Sequence, residues 1–313
     1  HVTDAQLQDW GLTKGGMELV SPEKLESIRS QVEIIHRASG GSAANTVVGV
    51  AQAGLEAYYC CRVANDDWGV FYLRDLDAQR VYTPSDEDVL KREEFNGDVT
   101  GQCLVLITPD AQRTMLTVLG ISNQLSEDDV DPTAISSAKC VYVEGYLLAE
   151  ERAKIAIEKA VKIQRDTGNL LAVTCSDPWV VSSFREDFDR LFAKSNGEVG
   201  IDILFANEDE ALAFTGETDA DAAAKALKKV AKLPIVTLSE KGAIWVDDSG
   251  EISRCPGLPT QAIDTTGAGD AFAAGFLARY LKDEDIAAAV AQGCRWGSDV
   301  VAKLGPRLDT IPK

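Results

Sequence analysis

From Lys139 to the end of the sequence, short apolar segments alternate with segments of helical periodicity. Continuous apolar strands between amphipathic helices are typical of a parallel sheet that is covered by helices on both faces. The sequence therefore predicts an α/β fold with a doubly wound, mostly parallel central sheet. The predicted strands are 139–145, 170–175, 201–206, 234–238 and 243–246, and the predicted helices are 150–167, 184–193, 208–215, 220–232, 271–281 and 284–302.

Residues 1–120 lack this alternation. Short β-branched segments occur at about 11–20 and 81–120, and within the second stretch residues 102–108 and 114–119 flank a Pro109-Asp110 turn. No helical pattern separates these strands, so we expect them to form a small β-strand lid inserted in a single domain, 1–313. Helices are predicted at 4–10 and 22–30, and a third helix is predicted to follow the loop at 39–45 and to end at Gly54. A strand is predicted at 57–63. An α/β chain usually opens with a buried strand, so we expect that a first strand of the natural protein is missing here.

Composition excludes several functions. The net charge of −19 disfavours a nucleic-acid partner, because phosphate binding needs clustered Lys and Arg. The sequence has no run of 18 apolar residues, so no membrane span is expected. Two histidines leave no His-based metal site or Ser-His-Asp triad. Seven cysteines without paired spacing favour reduced thiols and a cytoplasmic location.

A glycine-rich turn at 264–270, Asp-Thr-Thr-Gly-Ala-Gly-Asp, precedes a run of helix formers. The free backbone N–H groups of such a helix N-terminus favour an anion. Thr265 or Thr266 could serve as the cap, so Asp270 is not needed for that task. A carboxylate beside an anion cradle suggests a general base next to a place where negative charge develops. The alternative is a simple loop in which Asp270 stabilises the first helical turn.

Two better-known glycine motifs do not fit this turn. A P-loop requires Lys followed by Ser or Thr after its last glycine, and no glycine cluster in the sequence has that pair. The dinucleotide fingerprint has a third Gly or Ala where Phe272 stands, and its acidic residue at a strand end falls here in a predicted helix.

A second glycine-rich loop, 39–45, leads into a helix of small residues. Its lack of side chains allows a ligand to approach the backbone, and Asn45 can present both a donor and an acceptor to hydroxyl groups. A tight turn with a close helix contact is the alternative. Arg113, in the predicted lid, is either a solvated surface charge or an arm that closes over an anion.

Three polar clusters follow predicted strands: 207–210, 237–242 and the turn at 264–270. Ligands of doubly wound sheets bind beyond the carboxyl ends of the strands. The clusters are therefore expected to converge on one site.

Taken together, these segments resemble the PfkB/ribokinase family of ATP-dependent carbohydrate and nucleoside kinases. Residues 40–45 (Gly-Gly-Ser-Ala-Ala-Asn) resemble the first family motif, 264–276 the second, and Asn207-Glu208-Asp209-Glu210 the Asn-x-x-Glu element. The resemblance spans nearly the whole chain. Further segments, among them 100–103, 113–115, 144–146 and 176–178, look most like bacterial adenosine kinase-like members.

The resemblance implies a role for each motif residue. Asp270 would deprotonate a primary hydroxyl for in-line attack on the γ-phosphate of ATP, and the amides of Gly267, Ala268 and Gly269 would hold the charge of the transferring group. Arg113 is expected to contact that group when the lid closes. The remaining roles are acceptor binding by Gly40, Gly41 and Asn45; orientation of hydrated Mg²⁺ by Asn207 and Glu210; nucleotide contacts by Thr237, Ser239, Gly242 and Cys294; and a possible monovalent cation such as K⁺ at Asp264 and Thr266.

The sequence departs from the family pattern at three places. The first strand, with an Asp that grips the sugar in relatives, is not present; Cys294 stands where relatives often have Asn; and Arg80 stands where they usually have Gly. The acceptor is expected to be a nucleoside, adenosine first, or a free sugar such as ribose or a ketohexose. A non-catalytic ligand-binding or regulatory relative is the alternative from another class. The chain would be a monomer or a homodimer paired through the lid.

Overall fold

The computed structural model describes residues 1–84, 99–110, 112–193 and 199–309. Its strands are β1 (Met17–Leu19), β2 (Ala57–Tyr58), β3 (Val81–Tyr82), β4 (Gln102–Ile107), β5 (Arg113–Val118), β6 (Cys140–Glu144), β7 (Leu170–Thr174), β8 (Ile201–Asn207), β9 (Ala231–Thr237), β10 (Gly242–Val246) and β11 (Ile252–Pro256). Its α-helices are α1 (Asp4–Asp9), α2 (Pro22–Arg29), α3 (Ser42–Gln52), α4 (Asp67–Ala78), α5 (Pro132–Ser137), α6 (Glu151–Thr167), α7 (Pro178–Ser183), α8 (Arg185–Phe192), α9 (Glu208–Thr215), α10 (Ala220–Leu227), α11 (Ala268–Asp283) and α12 (Ile286–Val301).

The central sheet has six strands in the order β11-β10-β9-β8-β7-β6. Strands β6 to β9 are mutually parallel, and β10 runs antiparallel to both of its neighbours. Because β10 runs antiparallel to both β9 and β11, β11 points in the same direction as β9. The carboxyl end of β11 therefore lies at the same edge of the sheet as that of β9. Helices α6, α8, α9 and α10 pack on one face and helices α11 and α12 on the other. The predicted doubly wound, mostly parallel sheet is confirmed.

Several element boundaries differ from the prediction. Strand β9 begins at Ala231, and α10 ends at Leu227 rather than at Lys232. A charged residue at position 232 fitted the exposed face of a helix in the sequence pattern. In the structure Lys232 lies in β9 with an exposed side chain, and its Nζ lies 2.8 Å from Asp202 Oδ1. Strand β11 was not predicted, since it is an edge strand with an exposed, polar face that includes Arg254.

A three-stranded sheet, β1-β5-β4, forms the lid. Strands β4 and β5 make the predicted antiparallel hairpin, and β1 adds to β5 in parallel. One face of this sheet packs on α1 and α2 through residues such as Leu106 and Leu116. The predicted parts of the lid at 85–98 and Ala111 lie outside the described residues.

A separate two-stranded sheet pairs β2 with β3. The segment 81–82 was expected in the lid, and the strand 57–63 was expected to be longer than Ala57–Tyr58. Both strands pack through Ala57 and Val81 against α3 and α4 instead, in a cluster with Val48 and Leu76. Of the helices that the structure describes, none is long and apolar enough to span a membrane.

Candidate active site

The N-terminus of α11 lies beyond the carboxyl edge of the central sheet. Its cap is Gly267, with φ 78°, and no side chain among the described residues caps the helix. The expected cap from Thr265 or Thr266 is therefore wrong: the Thr266 backbone N–H instead donates to Asp264 Oδ1 at 3.0 Å. The helix begins at Ala268, three residues earlier than predicted, so Asp270 stands in its first turn. An uncapped N-terminus leaves backbone donors available to an anion.

Gly267 and Gly269, the two glycines of the turn at 264–270, are needed for different reasons. A Cβ at Gly267 would lie 2.7 Å from Pro306 Cα and closer still to the Pro306 carbonyl oxygen. A Cβ at Gly269 would meet no described atom within 4 Å. Gly267 thus permits close packing of the chain segment after α12, whereas Gly269 keeps the space above the helix N-terminus open.

Asp270 is held by two side chains of α3. Its Oδ1 accepts a hydrogen bond from Ser42 Oγ at 2.7 Å, and its Oδ2 accepts one from Asn45 Nδ2 at 2.8 Å. Burial raises the pKa of Asp270, while these two hydrogen bonds and the positive charge of Arg307 lower it. The carboxylate is fixed in direction beside the N-terminus of α11, where the Ala268 N–H donates to the Thr265 carbonyl oxygen at 3.3 Å. A fixed direction suits a general base.

The loop before α3 comes next to the same carboxylate. Gly41 caps α3 with φ 103°, a conformation that favours glycine, and a Cβ at Gly40 or Gly41 would meet no described atom within 4 Å. Open space above two glycines allows a ligand to reach the backbone. Asn45, one turn into α3, is buried and joins this loop to Asp270.

Glu144, at the end of β6, belongs to the site, although the sequence suggested no role for it. Its Oε1 accepts a hydrogen bond from the Ala43 backbone N–H at 2.9 Å. Burial raises the pKa of Glu144 to about 7, a shift that the hydrogen bond of Ser42 opposes and the charge of Asp270 reinforces. Its position at a strand end was the available signal.

Arg113 reaches from the lid to the glycine-rich turn. Its Nη1 forms an ion pair with the buried carboxylate of Asp264 and donates to Thr266 Oγ1 at 3.1 Å. The alternative of a solvated surface charge is wrong, since only 13% of the Arg113 side chain is exposed. Asp264 Oδ2 also accepts from the Gly305 backbone N–H at 2.8 Å.

Asn207 and Glu210 cap helix α9 reciprocally. The Glu210 N–H donates to Asn207 Oδ1 at 2.8 Å, and Glu210 Oε1 accepts from Asn207 Nδ2 at 2.7 Å. Burial raises the pKa of Glu210 to about 7. Within the described ranges, no group of three or more acidic, His or Cys side chains could hold a metal ion. Amide and carboxylate oxygens of this kind suit a hard ion such as Mg²⁺ that is held through its waters.

The remaining predicted nucleotide contacts follow β9 and β10. Thr237 ends β9 beside Asn207 of β8, Ser239 has φ 52°, and Gly242 opens β10 with φ 96°. A Cβ at Gly242 would lie 2.5 Å from the backbone nitrogen of Gly257, which explains the glycine. Cys294, on α12, packs on the α11 face of the sheet near Cys255.

A cavity of about 2270 Å³ connects several of these parts. Its walls include the loop at Gly40 and Gly41, Asn45, Asp270 and the inner face of the lid. The structure thus brings the first motif, the second motif and the lid to one opening. Arg307, which the sequence analysis did not single out, lies behind this opening and is bonded to Asn45.

The relatives define the class of protein as a small-molecule kinase. Residues 10–313 match the model of the pfkB family carbohydrate kinases, and the chain belongs to that family. Kinases of this family use ATP, generally with Mg²⁺.

The chain is similar to kinases that are named for different acceptors. The structure of adenosine kinase from Sinorhizobium meliloti matches with a TM-score of 0.84 and 35% identity over 99% of this chain and 92% of that one. A probable sugar kinase from Rhizobium etli CFN 42 matches with a TM-score of 0.84 and 33% identity over 99% and 91% of the two chains. The ATP-dependent ribose-1-phosphate kinase of Halopiger xanaduensis is 28% identical over 98% of this chain and 94% of its own length.

Proposed function

We propose that the protein transfers the γ-phosphate of ATP to a primary hydroxyl group of a nucleoside, adenosine being the first candidate. Asp270 is the general base, and the amides of Gly267, Ala268 and Gly269 stabilise the charge on the transferring group. The observation that carries this proposal is the fixed Asp270 carboxylate, bonded to Ser42 and Asn45, beside an uncapped helix N-terminus. Positioning and electrostatic stabilisation supply most of the catalysis in such a transfer.

The nucleotide lies beyond the carboxyl ends of β8 and β9 and the amino end of β10 in this proposal. Thr237, Ser239, Gly242 and Cys294 line its base and sugar, while Asn207 and Glu210 orient the waters of Mg²⁺. A hydrated Mg²⁺ neutralises the charge on the phosphate oxygens. Gly40, Gly41 and Asn45 hold the sugar hydroxyls of the acceptor.

The inner face of the lid favours a nucleoside over a free sugar. Met17 of β1 lies opposite Met115 of β5, which lies opposite Val105 of β4, so the three form one row across the sheet. The next row is Leu19, Thr117 and Cys103, and all six residues line the cavity. Met17 and Leu19 are more than half exposed there. An apolar face of this kind suits a flat base better than a ring of hydroxyl groups.

Arg113 moves from Asp264 to the transferring phosphoryl group in this proposal, when the lid closes over a bound acceptor. Its planar, permanently charged fork suits phosphate oxygens. Its departure would leave the buried Asp264 carboxylate without its cation, so K⁺ at Asp264 and Thr266 is proposed for the closed state only. Equal rates of ADP release in buffers that contain K⁺ or a large organic cation would refute the proposed K⁺ site.

Two further parts of the proposal concern the assembly and the location of the protein. A homodimer would pair through β1 or β4, the two outer strands of the lid sheet within the described residues, and sedimentation velocity distinguishes it from a monomer. We propose a cytoplasmic location because the sequence has seven cysteines, an odd number without the paired spacing of a disulfide framework.

The test is ADP release from ATP with a panel of acceptors: adenosine, other nucleosides, ribose, a ketohexose and ribose 1-phosphate. The proposal expects the highest kcat/KM with a nucleoside. Met17→Gln, which keeps the length of the side chain, should raise KM for the nucleoside and leave KM for a free sugar unchanged. A preference for a free sugar refutes the acceptor assignment, and binding without ADP release from any compound supports the non-catalytic alternative.

A further inference from the structure

Arg307 lies in the segment after α12, and its side chain is largely buried against the loop before α3. Its Nε donates to Asn45 Oδ1 at 2.8 Å, and its Nη1 donates to Ser39 Oγ at 3.0 Å. The preceding residues fix the path of this segment, because the Gly305 N–H donates to Asp264 Oδ2 and Pro306 packs over Gly267. The segment after α12 therefore connects the glycine-rich turn with α3.

These bonds decide which end of the Asn45 amide faces Asp270. A guanidinium only donates hydrogen bonds, so the amide oxygen must face Arg307. The amide nitrogen then faces the other way and donates to Asp270 Oδ2 at 2.8 Å. The Asp270 carboxylate, which only accepts hydrogen bonds, favours the same orientation, so Arg307 and Asp270 hold the amide from its two ends.

The other side of the guanidinium is fixed as well. Asp75 Oδ2, on α4, accepts hydrogen bonds from the Ser39 N–H at 2.8 Å and from Ser39 Oγ at 2.6 Å. The same carboxylate oxygen lies 3.8 Å from Arg307 Nη1. Arg307 is thus held at two nitrogens in a direction that the single ammonium of lysine cannot reproduce.

We propose that Arg307 is a positioning residue for the phosphoryl transfer: it orients the Asn45 amide to donate to Asp270 and supplies a positive charge behind that carboxylate. This inference rests on the proposed role of Asp270 as the base. Arg307 acts through Asn45 and contacts no reacting atom.

The charge of Arg307 also affects protonation at the site. The Arg307 charge and the Asn45 hydrogen bond both lower the pKa of Asp270, so replacing Arg307 raises it. Other groups that interact with Asp270 are Glu144, whose pKa is raised to about 7, and Tyr146, whose pKa is raised to about 12. Tyr142 has a pKa raised further still by burial. Between pH 5 and 9, only Glu144 of these three titrates beside Asp270.

The experiment compares Arg307→Gln and Arg307→Lys with a matched control, Arg295→Gln, whose arginine on α12 is 63% exposed. We expect Arg307→Gln to lower kcat by about 10-fold, a part of what a positioned base contributes, and to change KM for ATP little. The acid limb of the kcat/KM profile should move to higher pH. Arg307→Lys keeps the positive charge but not the two-nitrogen geometry. Its acid limb should therefore return closer to that of the wild type than its kcat does. Arg295→Gln should match the wild type in both.

A double-mutant cycle with Asn45→Ala tests the route of the effect. If Arg307 acts through Asn45, Arg307→Gln should cost less kcat in the Asn45→Ala background than in the wild type. Equal costs in the two backgrounds, or a lower melting temperature with kcat and the acid limb unchanged, overturn the inference. If Arg307→Gln does not fold, the lysine variant and its pH profile decide alone.

The failure of this inference differs from a failure of the proposed function. An active Asp270→Asn enzyme would refute the base itself. An inactive Asp270→Asn enzyme together with a normal Arg307→Gln enzyme would refute only the positioning role.

Discussion

Gly267 and Gly269, the two glycines of the turn at 264–270, should respond oppositely to alanine in a stability measurement. Gly267→Ala places a residue with a Cβ at φ 78°, which costs about 1–2 kcal/mol. The added Cβ would also overlap the backbone of Pro306, so the segment after α12 must move. That movement breaks the hydrogen bond from the Gly305 N–H to the Asp264 carboxylate, worth about 1.5–3 kcal/mol. The expected loss in the free energy of unfolding is about 2.5–5 kcal/mol.

Gly269→Ala is the matched control. Its Cβ meets no described atom within 4 Å, and alanine is favoured over glycine in a helix by up to about 1 kcal/mol. Urea denaturation followed by circular dichroism should place Gly269→Ala at or above the wild-type stability, while its kcat falls because the methyl group stands over the amides. The reasoning is refuted if Gly267→Ala is as stable as Gly269→Ala.

Three further outcomes are expected. The pKa of Glu144 is raised to about 7, so its stabilising contribution is complete below about pH 4.5 and disappears as pH rises through 7. Glu144→Gln keeps the acceptor for the Ala43 N–H but does not titrate. This variant should flatten the decline in the free energy of unfolding between pH 5 and 7. Arg80 is exposed and has φ 62°, a conformation that favours glycine, so Arg80→Gly should raise the denaturation midpoint by the equivalent of about 0.5–1 kcal/mol. Gln79→Gly is the control, and it should lower the midpoint because Gln79 has φ −86°. Arg113→Ala should lower kcat more than it raises KM for the acceptor. It should also lower the free energy of unfolding, because the buried Asp264 carboxylate loses its cation. A change in stability alone would make Arg113 a structural residue.

Periodicity located the central sheet because its inner strands contain runs that are buried on both faces. Segments such as 171–173 and 203–206 are continuous, buried apolar runs, and they could be recognised without tertiary information. The periodicity did not predict strand β11, because an edge strand needs few apolar residues. Strand β9 was started too late because Lys232 is stabilised by Asp202, a partner that is distant in sequence.

The site was predicted unevenly for a similar reason. Local motifs pointed to Asp270, Asn45 and the glycines, since these residues lie in short glycine-rich segments that precede a helix. Glu144 and Arg307 act through contacts with α3 that local sequence does not encode. The inner face of the lid likewise depends on the register that places Met17 opposite Met115. Tertiary packing, rather than motif content, determines these parts.

Asp270→Asn tests the central claim most directly. The amide keeps the shape of the carboxylate but cannot accept the proton of the acceptor hydroxyl. With ATP binding measured by calorimetry and turnover by ADP release, the account predicts an unchanged affinity for ATP and a fall in kcat of roughly 10²-fold or more. Near-native turnover by the pure variant would contradict the assignment of Asp270 as the base.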